Sequence, residues 1–140
     1  MDLGLDVGFY AVKFAHRGGV SQIPSVVTSF TESLFSMNGM EAITIESGKG
    51  RYLVGDEAVR KGRGVRKETA DWIASPEYHM LFVAALSEMT TATSATVNLV
   101  TGLPLSDYRR DKDRLRDMLL GVHNLARRGR RAQRINVESV

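Results

Sequence analysis

The chain has 140 residues with 43 % apolar and 25 % charged content, enough for one globular domain, and its net charge of +3 is too small to imply a nucleic-acid partner. It has no cysteine, which excludes a disulfide scaffold and thiolate metal sites and is consistent with the cytoplasm. No apolar run approaches the roughly 20 residues that span a bilayer, and no basic-then-apolar leader precedes Leu3, so we expect neither a membrane segment nor a signal peptide.

The first predicted element is a β-hairpin over residues 3–14. Apolar residues alternate with small or polar residues in two runs, which is the period of strands with one apolar face, and Gly8 separates the runs. The spacing Asp-x-Gly-x-x-x-x-Lys places Asp6 and Lys13 on either side of the turn.

This hairpin carries groups that suit a nucleotide phosphate. Gly8 has no Cβ, so phosphate oxygens could approach the turn amides closely. Asp6 could hold a hydrated Mg²⁺, and Lys13 could place its charge against the β- or γ-phosphate. The alternative is an ordinary hairpin whose Asp and Lys form a surface pair, and the spacing alone leaves both interpretations open.

Short strands and loops are predicted next. A third strand is expected over residues 20–27, with Pro24 placing it at an edge or a bulge, and an irregular loop over residues 28–39. Two alternating runs, residues 41–46 and 51–54, flank a strong turn signal and predict a second hairpin.

Asp56 is the expected N-cap of a short helix that follows the second hairpin. Residues 60–68 are basic and contain glycine, which predicts a solvated connection, with nucleic acid or a partner subunit as the alternative contact.

A buried helix is expected from Ser75 to Met89. A capping hydroxyl, then proline, then an acid mark its start, and apolar residues occupy most of its circumference. A short β-branched run over residues 95–102 predicts a central strand.

The next helix is expected from Ser106 to a C′ glycine at Gly121. One face is predicted to be apolar, and i,i+3 ion pairs are predicted to decorate the other. The apolar residues are Tyr108, Leu115, Met118, Leu119 and Val122, and the ion pairs are Asp111 with Arg114 and Asp113 with Arg116.

The tail is predicted as two strands that flank a turn at Gly129, with the second over residues 133–140. Five arginines lie between Arg127 and Arg134. A solvated turn and a contact with the acidic surface of another protomer are about equally favoured, and direct DNA binding is less favoured.

Residues 6–13 resemble the first phosphate loop of the actin-like ATPases, most closely the plasmid-segregation type (ParM/StbA-like). Further segments of this family occur in the same order along the chain. They are Ile-Pro-Ser-Val-Val at residues 23–27, Tyr-Leu-Val-Gly-Asp-Glu-Ala at 52–58, Asp-Trp-Ile at 71–73 with Tyr78 and Leu81, and Thr-Gly-Leu-Pro-Leu at 101–105.

The resemblance implies an α/β fold, the ribonuclease H-like subdomain of actin-like ATPases, with a mixed five-stranded sheet flanked by helices. Residues 1–140 would form a single N-terminal domain, and the second, C-terminal half of the family fold would be absent. That half supplies the second Asp-x-Gly loop and the adenine pocket in the family.

The resemblance also implies the ligands, ATP and Mg²⁺. It assigns phosphate binding to Gly8, Phe9, Tyr10, Ala11 and Lys13, and it assigns Asp6 to magnesium through water. Many relatives have a small polar residue in this turn, where the chain has Tyr10 and Ala11, so one contact to the γ-phosphate is expected to be missing. No catalytic residue is assigned.

The implied function is that of the N-terminal part of a nucleotide-binding, filament-forming protein. Its expected partners are further copies of itself and a DNA-bound adaptor, without direct nucleic-acid or membrane contact. Because half of the site is missing, we expect the chain alone to bind ATP weakly and not to hydrolyse it. The alternatives are a sugar kinase or chaperone ATPase of the same superfamily and a non-catalytic assembly module.

Overall fold

The computed structural model describes residues 1–29, 42–48, 50–61 and 71–140. The described strands are β1 (Asp2–Val7), β2 (Ala11–His16), β3 (Gly19–Pro24), β4 (Val27–Ser29), β5 (Ile43–Ser47), β6 (Gly50–Val54), β7 (Ser94–Thr101), β8 (Gly121–Arg127) and β9 (Gln133–Ser139). The described helices are α1 (Asp56–Arg60), a 3-10 helix (Trp72–Ala74), α2 (Pro76–Met89) and α3 (Leu105–Leu119).

The described strands form one mixed sheet of nine strands in the order β3-β2-β1-β7-β9-β8-β5-β6-β4. Strands β1, β7 and β9 run parallel to each other, and the other pairs are antiparallel. The predicted five strands were therefore too few. The hairpin β5–β6 is not a separate unit, because β5 pairs with β8 and joins the two parts of the sheet.

Helix α2 is the centre of the core. Ten of its residues are buried, among them Leu81, Phe82 and Leu86. The sheet curls around the helix, so that α2 contacts β1 and β2 on one side and β5, β6 and β8 on the other. A large apolar side chain enclosed in this way stabilises the fold by about 1.5–3 kcal/mol. The start of the helix is as predicted, since Ser75 Oγ accepts the Tyr78 N–H at 3.1 Å and Pro76 is the first helical residue.

The prediction of a mixed sheet flanked by helices is confirmed. Helices α2 and α3 pack into the same core cluster on one face of the sheet, and the short α1 packs outside β6 through Ala58 and Leu53. The opposite face of β1, β2, β3 and β7 is open in the described part of the chain. Val20 and Val100 lie on that face and are 79 % and 71 % exposed.

Helix α3 departs from the prediction in its apolar face. Leu115 and Leu119 are buried, but Tyr108 and Met118 are exposed, and Val122 lies in β8. Asp111, predicted on the solvated face, is one of the buried residues of the helix. Three of the five apolar positions therefore do not contribute to the core.

The predicted third strand is divided in two. Strand β3 ends at Pro24, which has no N–H for a ladder, and β4 starts at Val27 on the other edge of the sheet. The N-cap of α1 is Gly55, with a positive φ of 80°, and Asp56 is the first helical residue instead of the cap. The predictions for residues 30–39, for Glu41 and for 62–68 lie outside the described residues.

Candidate functional site

The candidate site lies where two parallel strands end together. The register of β1 with β7 pairs Leu5 with Thr101, so both strands have their carboxyl ends at the same edge of the sheet. Ligands of open α/β sheets bind preferentially at such edges. The hairpin turn at residues 8–11, called the 8–11 turn below, follows β1 at this edge.

Asp6 and Lys13 are brought together as the sequence spacing predicted. They are direct partners in the β1–β2 register, and both are exposed. Because Leu5 and Val7 face the core, the alternation of the strand directs Asp6 to the open face. Within the part of the chain that the structure describes, the two residues form no ion pair with each other.

The 8–11 turn is held by Ser25, which follows β3. The Ser25 hydroxyl donates to the Gly8 carbonyl oxygen at 2.6 Å, and the Ser25 N–H donates to the Tyr10 carbonyl oxygen at 3.0 Å. The Gly8 N–H donates to the Ala11 carbonyl oxygen at 3.2 Å within the turn. A Cβ at Gly8 would lie 3.0 Å from that oxygen, a tight contact that favours glycine at this position.

Trp72 holds the same turn from a second direction. Its indole N–H donates to the Val7 carbonyl oxygen at 3.0 Å, and its ring stacks on Phe9 with centroids 4.7 Å apart. Tyr78 packs edge-on against the indole, with ring centroids 5.8 Å apart. Tyr10, in contrast, is 71 % exposed, so its ring does not fill the turn.

A cavity of about 540 Å³ lies beside the 8–11 turn. Aromatic and apolar residues line part of it, and its charged lining consists of three carboxylates and one guanidinium. The charged residues are Asp6, Asp107, Asp111 and Arg110. Burial, with Asp6 nearby, raises the pKa of Tyr78 above its ordinary value, so that phenol stays neutral at physiological pH.

Arginines of α3 form ion pairs within the helix and with Asp71, the residue before the 3-10 helix. Arg110 donates to both carboxylate oxygens of Asp111, at 3.1 and 2.7 Å, and these hydrogen bonds lower the pKa of Asp111. Arg114 donates to both oxygens of Asp71 at 3.0 and 2.7 Å. The predicted pair of Asp111 with Arg114 is present but long, at 4.0 Å.

The residues present fit a magnesium ion only as part of a nucleotide complex. Among the residues that the structure describes, no group of three or more His, Asp or Glu could hold a metal ion. Asp6 is a single exposed carboxylate, and Mg²⁺ usually keeps most of its waters and takes its other ligands from phosphates. None of the described helices is long and apolar enough to cross a membrane.

Two residues of this site were not given a role by the sequence. Ser25 and Trp72 contact the 8–11 turn from positions 17 and 65 residues away in the chain. A signal existed for each: Ser25 follows a proline that ends a strand, and Trp72 is the single tryptophan, placed just before a helix cap. Neither signal says which peptide group the side chain contacts.

With the fold and the turn described, comparison with known proteins identifies the family. The model for the N-terminal domain of actin-like proteins matches residues 4–140. The chain therefore belongs to the family of actin-like protein N-terminal domains. No curated protein sequence matches the chain significantly.

Solved structures of actin homologues share the fold over nearly the whole chain. The apo ParM protein of psk41 superposes with a TM-score of 0.84 at 19 % identity, covering 99 % of this chain and 47 % of that one. The archaeal actin homologue Ta0583 in complex with ADP superposes with a TM-score of 0.71 at 18 % identity, covering 99 % of this chain and 41 % of that one. The Alp12 filament structure superposes with a TM-score of 0.73 at 17 % identity, covering 99 % of this chain and 44 % of that one. The chain thus spans less than half the length of these proteins.

Proposed function

We propose that this domain supplies the first phosphate-binding turn of an ATP-dependent, filament-forming actin-like protein of the plasmid-segregation type. The observation that carries the proposal is the direct pairing of Asp6 with Lys13 beside the 8–11 turn. Membership of the actin-like family and the ADP complex of a protein with the same fold support the choice of nucleotide.

The charges suggest how the nucleotide would lie. Lys13 and the turn amides of Phe9, Tyr10 and Ala11 are the groups near the turn that attract a phosphate, whereas the adjacent cavity is rich in carboxylates. The phosphates would therefore lie against the turn and Lys13, and Asp6 would face the hydrated Mg²⁺ of the nucleotide. Bound there, Mg²⁺ would neutralise phosphate charge, and Asp6 would orient one of its waters.

No residue of this chain is proposed to activate the attacking water. The described site supplies a carboxylate, an ammonium group and turn amides on one side only. We therefore infer that nucleotide binding needs a second set of ligands, and that this domain alone binds MgATP weakly and does not turn it over.

Self-association is part of the same proposal. A protein that shares the fold is known as a filament, and the open face of the sheet leaves Val20 and Val100 exposed. We propose that filaments form in the cytoplasm and engage a DNA-bound adaptor, and that the domain itself does not bind nucleic acid. In agreement, Arg127 and Arg130 of the arginine-rich tail bond Glu88 of the same chain.

Sedimentation of the full-length gene product tests this function. We expect pelleting that requires MgATP in the wild type and is lost in Lys13→Ala, while Arg17→Ala, which removes a different exposed cation, still pellets. Pelleting without nucleotide in wild type and Lys13→Ala alike would favour an assembly module. Sugar phosphorylation without filaments would favour a kinase.

A further inference from the structure

Ser25 fixes the direction of two peptide groups in the 8–11 turn. Its hydroxyl and its N–H bond the carbonyl oxygens of Gly8 and Tyr10. The described chain contains no cis peptide bond, so in each peptide group the N–H points opposite to its C=O. The N–H groups of Phe9 and Ala11 belong to these two peptide groups. Both therefore point away from Ser25.

The same hydroxyl also changes how the hairpin closes. In a two-residue hairpin turn, the flanking residues usually exchange two backbone hydrogen bonds. Gly8 donates to Ala11, but within this described segment the return bond from the Ala11 N–H to the Gly8 carbonyl is not formed. The carbonyl accepts the Ser25 hydroxyl at 2.6 Å instead, which leaves the Ala11 N–H to other acceptors.

Trp72 secures the preceding peptide group. The Val7 carbonyl accepts the indole N–H, and the Gly8 N–H of that group bonds Ala11, so both ends of the group are occupied. The turn thus has one saturated peptide group, Val7–Gly8, and two others, Gly8–Phe9 and Tyr10–Ala11, whose N–H groups face away from Ser25. N–H groups that a turn exposes on one side are typical of an anion-binding concavity.

We propose that Ser25 is a positioning residue that directs the Phe9 and Ala11 N–H groups toward the phosphate oxygens of the bound nucleotide. The proposal rests on the proposed nucleotide site and deepens it. Ser25 is 5 % exposed and does not itself meet the ligand; it acts through the carbonyl groups that it holds. Without the hydroxyl, the Gly8 carbonyl is free to accept the Ala11 N–H. The turn then forms its second backbone hydrogen bond, and the Ala11 N–H no longer faces a ligand.

Nucleotide affinity is the first test. In the full-length gene product, we expect Ser25→Ala to weaken MgADP binding about 10-fold, because one aligned amide is lost to the turn. Ser25→Thr, which keeps a hydroxyl, should bind within about 2-fold of wild type. Ser87→Ala is the control for the loss of a buried hydroxyl away from the turn, since the Ser87 hydroxyl donates to the Ala84 carbonyl at 2.7 Å and accepts from Arg127 at 3.2 Å. Equal affinity of Ser25→Ala and wild type, or an equal loss in Ser87→Ala, would overturn the proposal.

Amide hydrogen exchange without nucleotide separates this inference from the proposed function. We expect the Ala11 amide to exchange about 5–10-fold more slowly in Ser25→Ala than in wild type, since the new bond to Gly8 protects it. Unchanged exchange in a folded variant would refute the role of Ser25 whatever the protein binds. Slower exchange in Ser25→Ala, together with no MgADP binding by the wild type, would refute the nucleotide site and leave the role of Ser25 in shaping the turn intact.

Discussion

Asp6 and Lys13 are direct partners in the antiparallel β1–β2 register, and their side chains share the sheet face opposite α2. Partners in such a pair have Cα atoms about 5 Å apart, which is too close for a second protein element to separate them. A carboxylate and an ammonium group are therefore carried by adjacent residues of one hairpin, beside one turn. This pairing is what the proposed phosphate site requires of the chain.

Removal of the Lys13 charge should weaken nucleotide binding without weakening the fold. Lys13 is exposed, so Lys13→Ala should change the free energy of unfolding by less than about 0.5 kcal/mol. The affinity for MgADP should fall about 10-fold or more, because a charge-assisted contact to phosphate is lost. Calorimetric titration of the full-length product measures the MgADP affinity, and Arg17→Ala, which removes a different exposed cation, is the control. A similar loss in both variants would indicate a general charge effect.

Trp72 should report directly on the 8–11 turn. It is the single tryptophan, and its ring stacks on Phe9 at 4.7 Å. We expect MgADP to change the tryptophan emission of the full-length product, and we expect Phe9→Leu to remove most of that change. Tyr108→Phe, which alters an exposed aromatic residue on α3, should keep it. Emission that responds equally in Phe9→Leu would show that the signal does not come from the turn.

Loss of the indole N–H should destabilise the domain modestly. Trp72→Phe removes the bond to the Val7 carbonyl at 3.0 Å and leaves that oxygen without its side-chain donor. The free energy of unfolding should fall by about 1–2 kcal/mol, which urea denaturation measures. A variant as stable as wild type would mean that water replaces the indole at no cost.

The sequence predicted the parts of this site that are local and missed those that are distant. The two-residue period of the strands and the position of Gly8 were enough to place Asp6 opposite Lys13. Ser25 and Trp72 reach the turn only because β3 and the 3-10 helix pack beside it, and no local pattern encodes that packing.

Charge patterning misled the prediction for α3 for a related reason. The i,i+3 spacing predicted Asp111 on a solvated face, paired with Arg114. The tertiary fold instead brings Asp71 to Arg114 and buries Asp111, which takes its closer hydrogen bonds from Arg110. The nine-stranded sheet was missed likewise, because the β5–β8 pair joins segments about 80 residues apart, a separation at which pairing is decided by the packed fold and not by local pattern.

Asp111 should make stability depend on pH in the acid range. Its pKa in the folded chain lies below the ordinary value of 3.8, mainly because of the hydrogen bonds from Arg110. Its contribution is therefore fully present above pH 3.8 and is lost as the pH falls through the lowered folded value. The stability difference between wild type and Asp111→Asn should be constant from pH 5 to 7 and shrink below about pH 4. A difference independent of pH would contradict this account.

The tail contributes to stability through an ion pair with α2. Arg127 is buried in β8 and bonds the carboxylate of Glu88 and, at 3.2 Å, the hydroxyl of Ser87. Glu88→Ala should cost about 3 kcal/mol in urea denaturation, because a guanidinium is left buried without its counter-charge. Arg131→Ala, an exposed change in the same tail, should cost less than about 0.5 kcal/mol. If Glu88→Ala lowered the free energy of unfolding as little as Arg131→Ala, water would have to reach the Arg127 guanidinium.

The most direct test of the phosphate site is an NMR titration of the full-length gene product with MgADP. The backbone amide signals of Phe9, Ala11 and Lys13 should shift together and reach saturation, and Lys13→Ala should move the saturation point to higher nucleotide concentration. Saturable MgADP binding that leaves these three signals unmoved, or no binding at all, would contradict the assignment of this turn to phosphate.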